Sequence, residues 1–225
     1  MISSTDKNFM VPVGGSVIYS HKKHDLIEKI NNFYPGRASN GPIMDLFLTF
    51  LEMGHVTMKS LMKERKENYE YLKAQLTESM KLYGERCLET KNNKISIATT
   101  LTTLHAKVFE PHGISPTFFG SYLFSRRVSG VRVVYTSTSK INDQHFTNYG
   151  SHSQAYPHLP YFTAAASIGQ TKADIDLFII RIREAFEHFM KQEPKKLIEM
   201  EKIMAGLSIE EESKKKVDEE EKKKE

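Results

Sequence analysis

The sequence predicts an α/β fold, and three observations predict it. Ile95–Leu101 alternates with the two-residue period of a half-buried strand, and the short runs Ser16–Tyr19 and Val131–Tyr135, each following a glycine turn, read as further strands. Stretches at Lys22–Tyr34, Val56–Leu82 and Asp174–Met190 instead repeat their apolar side chains every three or four residues, the period of a helix packed along one face. The chain has 225 residues and is 39% hydrophobic, enough to fill one ordinary core and leave a tail.

Taken in order, Phe9–Val13 reads as an opening strand that closes on Gly14 and Gly15, whose freedom in φ allows a tight turn into Ser16–Tyr19. Leu26, Ile27, Ile30 and Phe33 make the next segment a helix, ended by Pro35-Gly36. In the polar loop Arg37–Pro42, Ser39 or Asn40 can cap a helix that starts at Pro42 and carries Leu46, Phe47, Phe50 and Leu51. A long helix from Val56 to about Leu82 follows, with Leu61, Met62, Tyr69, Leu72, Leu76, Met80 and Leu82 as a core stripe. Lys91–Lys94 turns the chain into the strand Ile95–Leu101, and the Pro/His segment His105–Pro116 reads as an irregular connection.

Phe118–Ser125 predicts a short helix, and Ser129-Gly130 a turn into Val131–Tyr135. Thr136–Pro160 lacks apolar periodicity and is longer than a structural loop usually needs to be, which points to a functional or assembly role. The three alanines in Tyr161–Gly169 predict a closely packed short helix. The amphipathic helix Asp174–Met190 is the clearest element, and beyond Pro194 a Lys/Glu-rich composition predicts a solvated, disordered tail.

Composition excludes several classes. No apolar run approaches the length of a membrane span, and no charged-then-apolar leader opens the chain, so a cytoplasmic protein without membrane attachment is expected. Cys87 is the single cysteine, which removes internal disulfides and cysteine-built metal sites. His145, His152 and His158 are spaced too evenly and widely for a compact metal site, so none is expected. Net charge is +4; the tail from Lys195 holds nine lysines against ten acidic residues, so the rest of the chain carries about +5. That balance permits a polyanionic partner without requiring one.

Three features carry candidate chemistry. Lys7 follows Ser4 by three residues beside a turn, a seat from which an amine could meet an aldehyde cofactor while a hydroxyl bonds its phosphate. Arg37 stands just ahead of a helix N-terminus, where a planar guanidinium and free N–H groups together favour an anion. The pair Arg126-Arg127 suits the negative end of the preceding helix and equally a phosphate backbone.

Several separated stretches, Asp6–Gly15, Tyr34–Ser39, Leu61–Glu67, Val128–Val134, Ala164–Gly169 and Asp174–Ile179, together resemble the O-phosphoseryl-tRNA(Sec) selenium transferases, or selenocysteine synthases. The resemblance runs in order from Asp6 to about Glu193. It implies a fold-type-I pyridoxal 5'-phosphate enzyme that assembles as a homotetramer and converts O-phosphoseryl-tRNA(Sec) to selenocysteinyl-tRNA(Sec) with selenophosphate. In that family's pattern Lys7 matches the Schiff-base lysine and Arg37 the arginine that holds the substrate phosphate. Arg126 and Lys191 match tRNA-contacting positions.

The family's first half, which supplies most of the large domain, has no counterpart here, so the expectation is a C-terminal portion with little activity alone. Residues 1–55 would form the edge of the large domain, 56–193 the linking helix and small C-terminal α+β domain, and 194–225 the tail. Two other readings compete: a non-catalytic tRNA-binding or assembly module using Arg126, Arg127, Lys191 and the tail, and a different pyridoxal-phosphate lyase.

Overall fold

The computed structural model describes residues 1–20, 25–34, 36, 39–148, 153 and 155–206. The chain divides into two compact units, Met1–Lys63 and Glu64–Glu225.

In the first unit, β1 (Ile2–Ser4) leads into α1 (Thr5–Phe9) and pairs antiparallel with β2 (Ser16–Ile18). The opening strand therefore lies ahead of Lys7, and the predicted strand Phe9–Val13 is a connection that begins with Met10 at φ 56. Thr5 ties this turn together: its backbone N–H and its hydroxyl each donate to Gly15 O at 3.0 Å. A Cβ on Gly15 would stand 2.7 Å from Pro42 Cβ and 2.8 Å from Thr5 Oγ1, so only glycine fits there. α2 (Leu26–Phe33) forms as its periodicity predicts but buries none of its residues. Ser39 Oγ accepts from Gly41 N at 3.2 Å at the start of α3 (Gly41–Lys81). The two helices expected on either side of residues 52–55 are joined into α3 across Gly54, whose φ 60 and ψ 178 interrupt the helical backbone. The buried side chains of α3 all lie beyond Lys63.

The second unit then adds β3 (Ser96–Thr100), a helical run of α4 (Thr102–Leu104), a π-helical turn (His105–Phe109) and α5 (Glu110–His112), and α6 (Thr117–Ser125). β4 (Arg132–Val134), the hairpin β5 (Thr138–Ile141) and β6 (Gln144–Thr147), β7 (Tyr161–Ala165) and α7 (Lys172–Lys191) complete it, with a further helix at 194–206. The main sheet has the order β3-β7-β4 with both pairings antiparallel, as a small α+β domain requires. One cluster gathers Leu72, Leu76 and Met80 from α3, Phe162 from β7, Phe119 and Leu123 from α6, and Ile182, Phe186 and Phe189 from α7. α7 opens on a capping box in which Thr171 and Asp174 each bond the other's backbone N–H.

Four expectations change here. Tyr161–Ala165 is the central strand, not a helix, because pairing on both sides and burial of Phe162 outweigh the small helical preference of three alanines. The predicted loop after Thr136 contains an exposed two-stranded ribbon, turned by Asn142 and Asp143 at φ 47 and 66, the signature of a tight hairpin turn. Residues 194–206, assigned to the disordered tail, are helical; Leu197 is fully buried, and Glu201 Oε1 accepts from Ser115 N at 2.8 Å. Residues 207–225 lie outside the described part.

The fourth change is His105–Pro116, whose first part is helical. Its cause is Glu85, a carboxylate only 3% exposed. Oε1 accepts the N–H groups of Thr103 at 2.8 Å and Leu104 at 3.1 Å; Oε2 accepts Thr102 N at 3.0 Å and the hydroxyls of Thr100 at 2.5 Å and Thr102 at 3.0 Å. Three otherwise orphaned N–H groups at the start of the helical run are thereby satisfied from a residue distant in sequence. In Glu85→Gln an amide NH2 would face these donors and leave at least one unpaired, so stability should fall by about 2–4 kcal/mol. Urea unfolding measures this, and a loss below about 0.5 kcal/mol would remove Glu85 as the anchor.

Candidate functional site

Lys7 occupies the middle of α1, and its side chain is 80% exposed. Its Nζ lies 3.6 Å from Asp6 Oδ2. The Ser4 hydroxyl donates to Asp6 Oδ1, so the hydroxyl expected to serve a cofactor phosphate is engaged within the turn. That bond, ahead of the Lys7 charge, holds the Asp6 carboxyl below the usual carboxylate range. A cavity in the same unit is walled by Met10, Leu48, Thr49, Leu51, Glu52 and Met53, without Lys7. Arg37 lies outside the described residues.

In the second unit, Arg126 caps α6, with its backbone N–H directed to Tyr122 O at 3.2 Å and Leu123 O at 3.0 Å. Its guanidinium sits over the Tyr122 ring, 5.0 Å from the centroid. The other face of the sequence pair is different: Arg127 takes φ 60, with Arg127 N bonded to Phe124 O and Val128 N to Leu123 O. This is a Schellman cap with arginine at the position glycine favours, at a cost of about 1 kcal/mol. Arg181 Nη1 donates to Arg127 O at 3.1 Å, and both arginines line a cavity of about 350 Å³ with Ser129, Ser167 and Gln170.

Lys191 ends α7 with its side chain 75% exposed and its Nζ 3.0 Å from Glu187 Oε2. That hydrogen bond and charge hold the Glu187 carboxyl below its ordinary value. One turn earlier, His188 stacks on Tyr122 with ring centroids 4.7 Å apart and planes 14° apart. Arg126, Tyr122 and His188 thus form a connected series across the C-terminal ends of α6 and α7, and Lys191 stands one turn beyond His188. Sequence reasoning named Arg126 and Lys191 and missed Tyr122 and His188, because stacking across helices leaves no local pattern.

Comparison with known proteins decides the family. The model of the family O-phosphoseryl-tRNA(Sec) selenium transferase matches residues 1–187. The chain belongs to this family. The Dictyostelium discoideum O-phosphoseryl-tRNA(Sec) selenium transferase is 43% identical over 197 residues, covering 82% of this chain and 41% of that protein. The Caenorhabditis briggsae protein of the same name is 37% identical, covering 85% of this chain and 38% of its own length. Among solved structures, an archaeal O-phosphoseryl-tRNA(Sec) selenium transferase superposes with a TM-score of 0.61 at 25% identity, over 81% of this chain and 37% of that one. The chain spans about two fifths of the length of these relatives.

Within the O-phosphoseryl-tRNA(Sec) selenium transferase match, Lys7, Arg37 and Arg126 fall inside the aligned range, while Lys191 lies just beyond it. Pyridoxal phosphate needs an amine enclosed beside donors for its phosphate. The described residues around Lys7 leave its amine open to solvent and do not by themselves fit the cofactor. Among the described residues no group of three or more acidic, histidine or cysteine side chains could hold a metal, and no helix is long and apolar enough to cross a membrane.

His188 gives a pH signature. Burial, then the Arg126 charge, lowers its pKa below the ordinary 6.5, and its Nε2 is buried without a partner. As pH falls the unfolded chain binds this proton first. The contribution is therefore complete above pH 6.5, is lost as pH falls from there to the folded-state value, and is flat below it. Urea unfolding at about pH 7.5 and about pH 5.5 should show lower stability at the acid value, and His188→Phe should narrow that difference.

Proposed function

We propose that this chain serves the conversion of O-phosphoseryl-tRNA(Sec) to selenocysteinyl-tRNA(Sec), with selenophosphate as selenium donor and pyridoxal phosphate as cofactor. Lys7 is the attachment point for the cofactor aldehyde, Arg37 the partner of the substrate phosphate, and Arg126 and Lys191 contacts for tRNA. The observation that carries this reading is the family match over residues 1–187, a range that includes Lys7, Arg37 and Arg126. The reaction takes place in a cytoplasmic homotetramer that encloses Lys7 with groups that the described residues do not provide. Alone, the 225-residue polypeptide, which spans about two fifths of its relatives' length, has little or no activity.

Incubation of the purified chain with pyridoxal phosphate, followed by gel filtration and borohydride, tests the last statement. The expected result is no retained cofactor absorbance and unmodified Lys7 by mass spectrometry. Stable labelling of Lys7 in the wild type would show that the chain builds its own cofactor site.

A second reading, a non-catalytic tRNA-binding module, is favoured by one observation: Arg126 is exposed on a unit that has a hydrophobic core of its own. Both readings expect tRNA(Sec) to bind with an affinity that falls as salt rises, and Arg126→Ala should weaken it and flatten the slope by roughly one phosphate contact. Restored turnover on supplying the remaining family segment would support the catalytic reading over the module.

A further inference from the structure

We propose that Tyr122 is a positioning residue for RNA recognition: its ring, backed by His188, holds the Arg126 guanidinium in the orientation that meets RNA. This rests on the reading of Arg126 as an RNA contact.

Tyr122 is 4% exposed, so its ring is not itself available to a nucleic acid. It is fixed on two sides. His188 stacks against it at 4.7 Å, and Phe189 meets it edge-on at 5.2 Å with planes 84° apart. Phe189 is fully buried and touches Phe118 and Phe119 as well, so the platform is continuous with the core. Arg126 stands one helical turn after Tyr122, where residues four apart share a face. Its guanidinium lies 5.0 Å from the ring centroid.

Among the described residues no carboxylate pairs with Arg126 within 4 Å, whereas Lys191 is tied to Glu187. The ring face attracts the cation through its quadrupole without occupying the N–H donors, which stay free for phosphate oxygens or a base edge. An arginine on a free surface must lose its rotamer freedom on binding, and one already held over a ring has lost part of it beforehand.

Equilibrium binding of an unacylated tRNA(Sec) transcript to the whole chain tests this by a double-mutant cycle. Arg126→Ala should weaken binding about ten-fold, and Tyr122→Leu about five-fold. Tyr122→Phe, which keeps the ring, should stay within about two-fold of wild type, and the double variant should bind no more weakly than Arg126→Ala alone. Loss in Arg126→Ala with wild-type affinity in Tyr122→Leu, or strict additivity, would overturn the positioning role and leave the RNA reading standing. Unchanged affinity in Arg126→Ala would overturn both. Should Tyr122→Leu not fold, proton NMR of the wild type decides: the Arg126 side-chain methylene signals are expected upfield of their ordinary shifts through the ring current, and ordinary shifts would overturn the inference.

Discussion

The Glu85 carboxylate is the constraint on which the second unit depends. Its five donors come from Thr100 at the end of β3 and from Thr102 to Leu104 at the start of the helical run, so one side chain fixes how the strand passes into the helix. That run places Phe109 in the core, edge-on to Phe189 at 5.6 Å. Phe189 in turn supports Tyr122, and Tyr122 carries Arg126. A buried carboxylate with no donors would be costly, while one saturated by N–H and hydroxyl groups strongly disfavours any other path for the chain at this point.

The two units treat their apolar residues in opposite ways. In the second, large aromatic side chains such as Phe109, Phe119, Phe162 and Phe186 are fully buried. In the first, Ile43, Phe47, Leu48, Phe50 and Leu51 of α3 are exposed, as is Phe33 of α2. Apolar surface of this kind ordinarily contacts another protein surface. The same unit carries Lys7 in the open, which agrees with a chain that spans about two fifths of its relatives' length.

Where sequence and structure agree, the signal was local. Ile175, Ile179, Ile182 and Phe186 repeat at helical spacing and are all buried in α7, and β3 forms within the predicted run Ile95–Leu101. Where they differ, the cause lies far along the chain. Ala164 and Ala165 adopt a strand because Ile97 and Ser96 pair with them, and Leu197 is buried because the rest of the core is there to receive it. Of the candidate residues, Lys7, Arg37, Arg126 and Lys191 are named by the family resemblance, whereas Tyr122 and His188 are not, since each is an ordinary aromatic on a helix until the two helices meet.

The sequence by itself determined the family, through residues whose spacing along the chain is their signature, and the main helices, through periodicity that needs no partner. Tertiary structure alone decided which short segments became strands or helices, how exposed Lys7 is, and that Arg126 rests on a ring stacked on His188. The physical reason is one of range. Periodicity and capping act within a few residues, whereas pairing of β7, saturation of Glu85 and the Tyr122–His188 stack join groups that only the folded chain brings together.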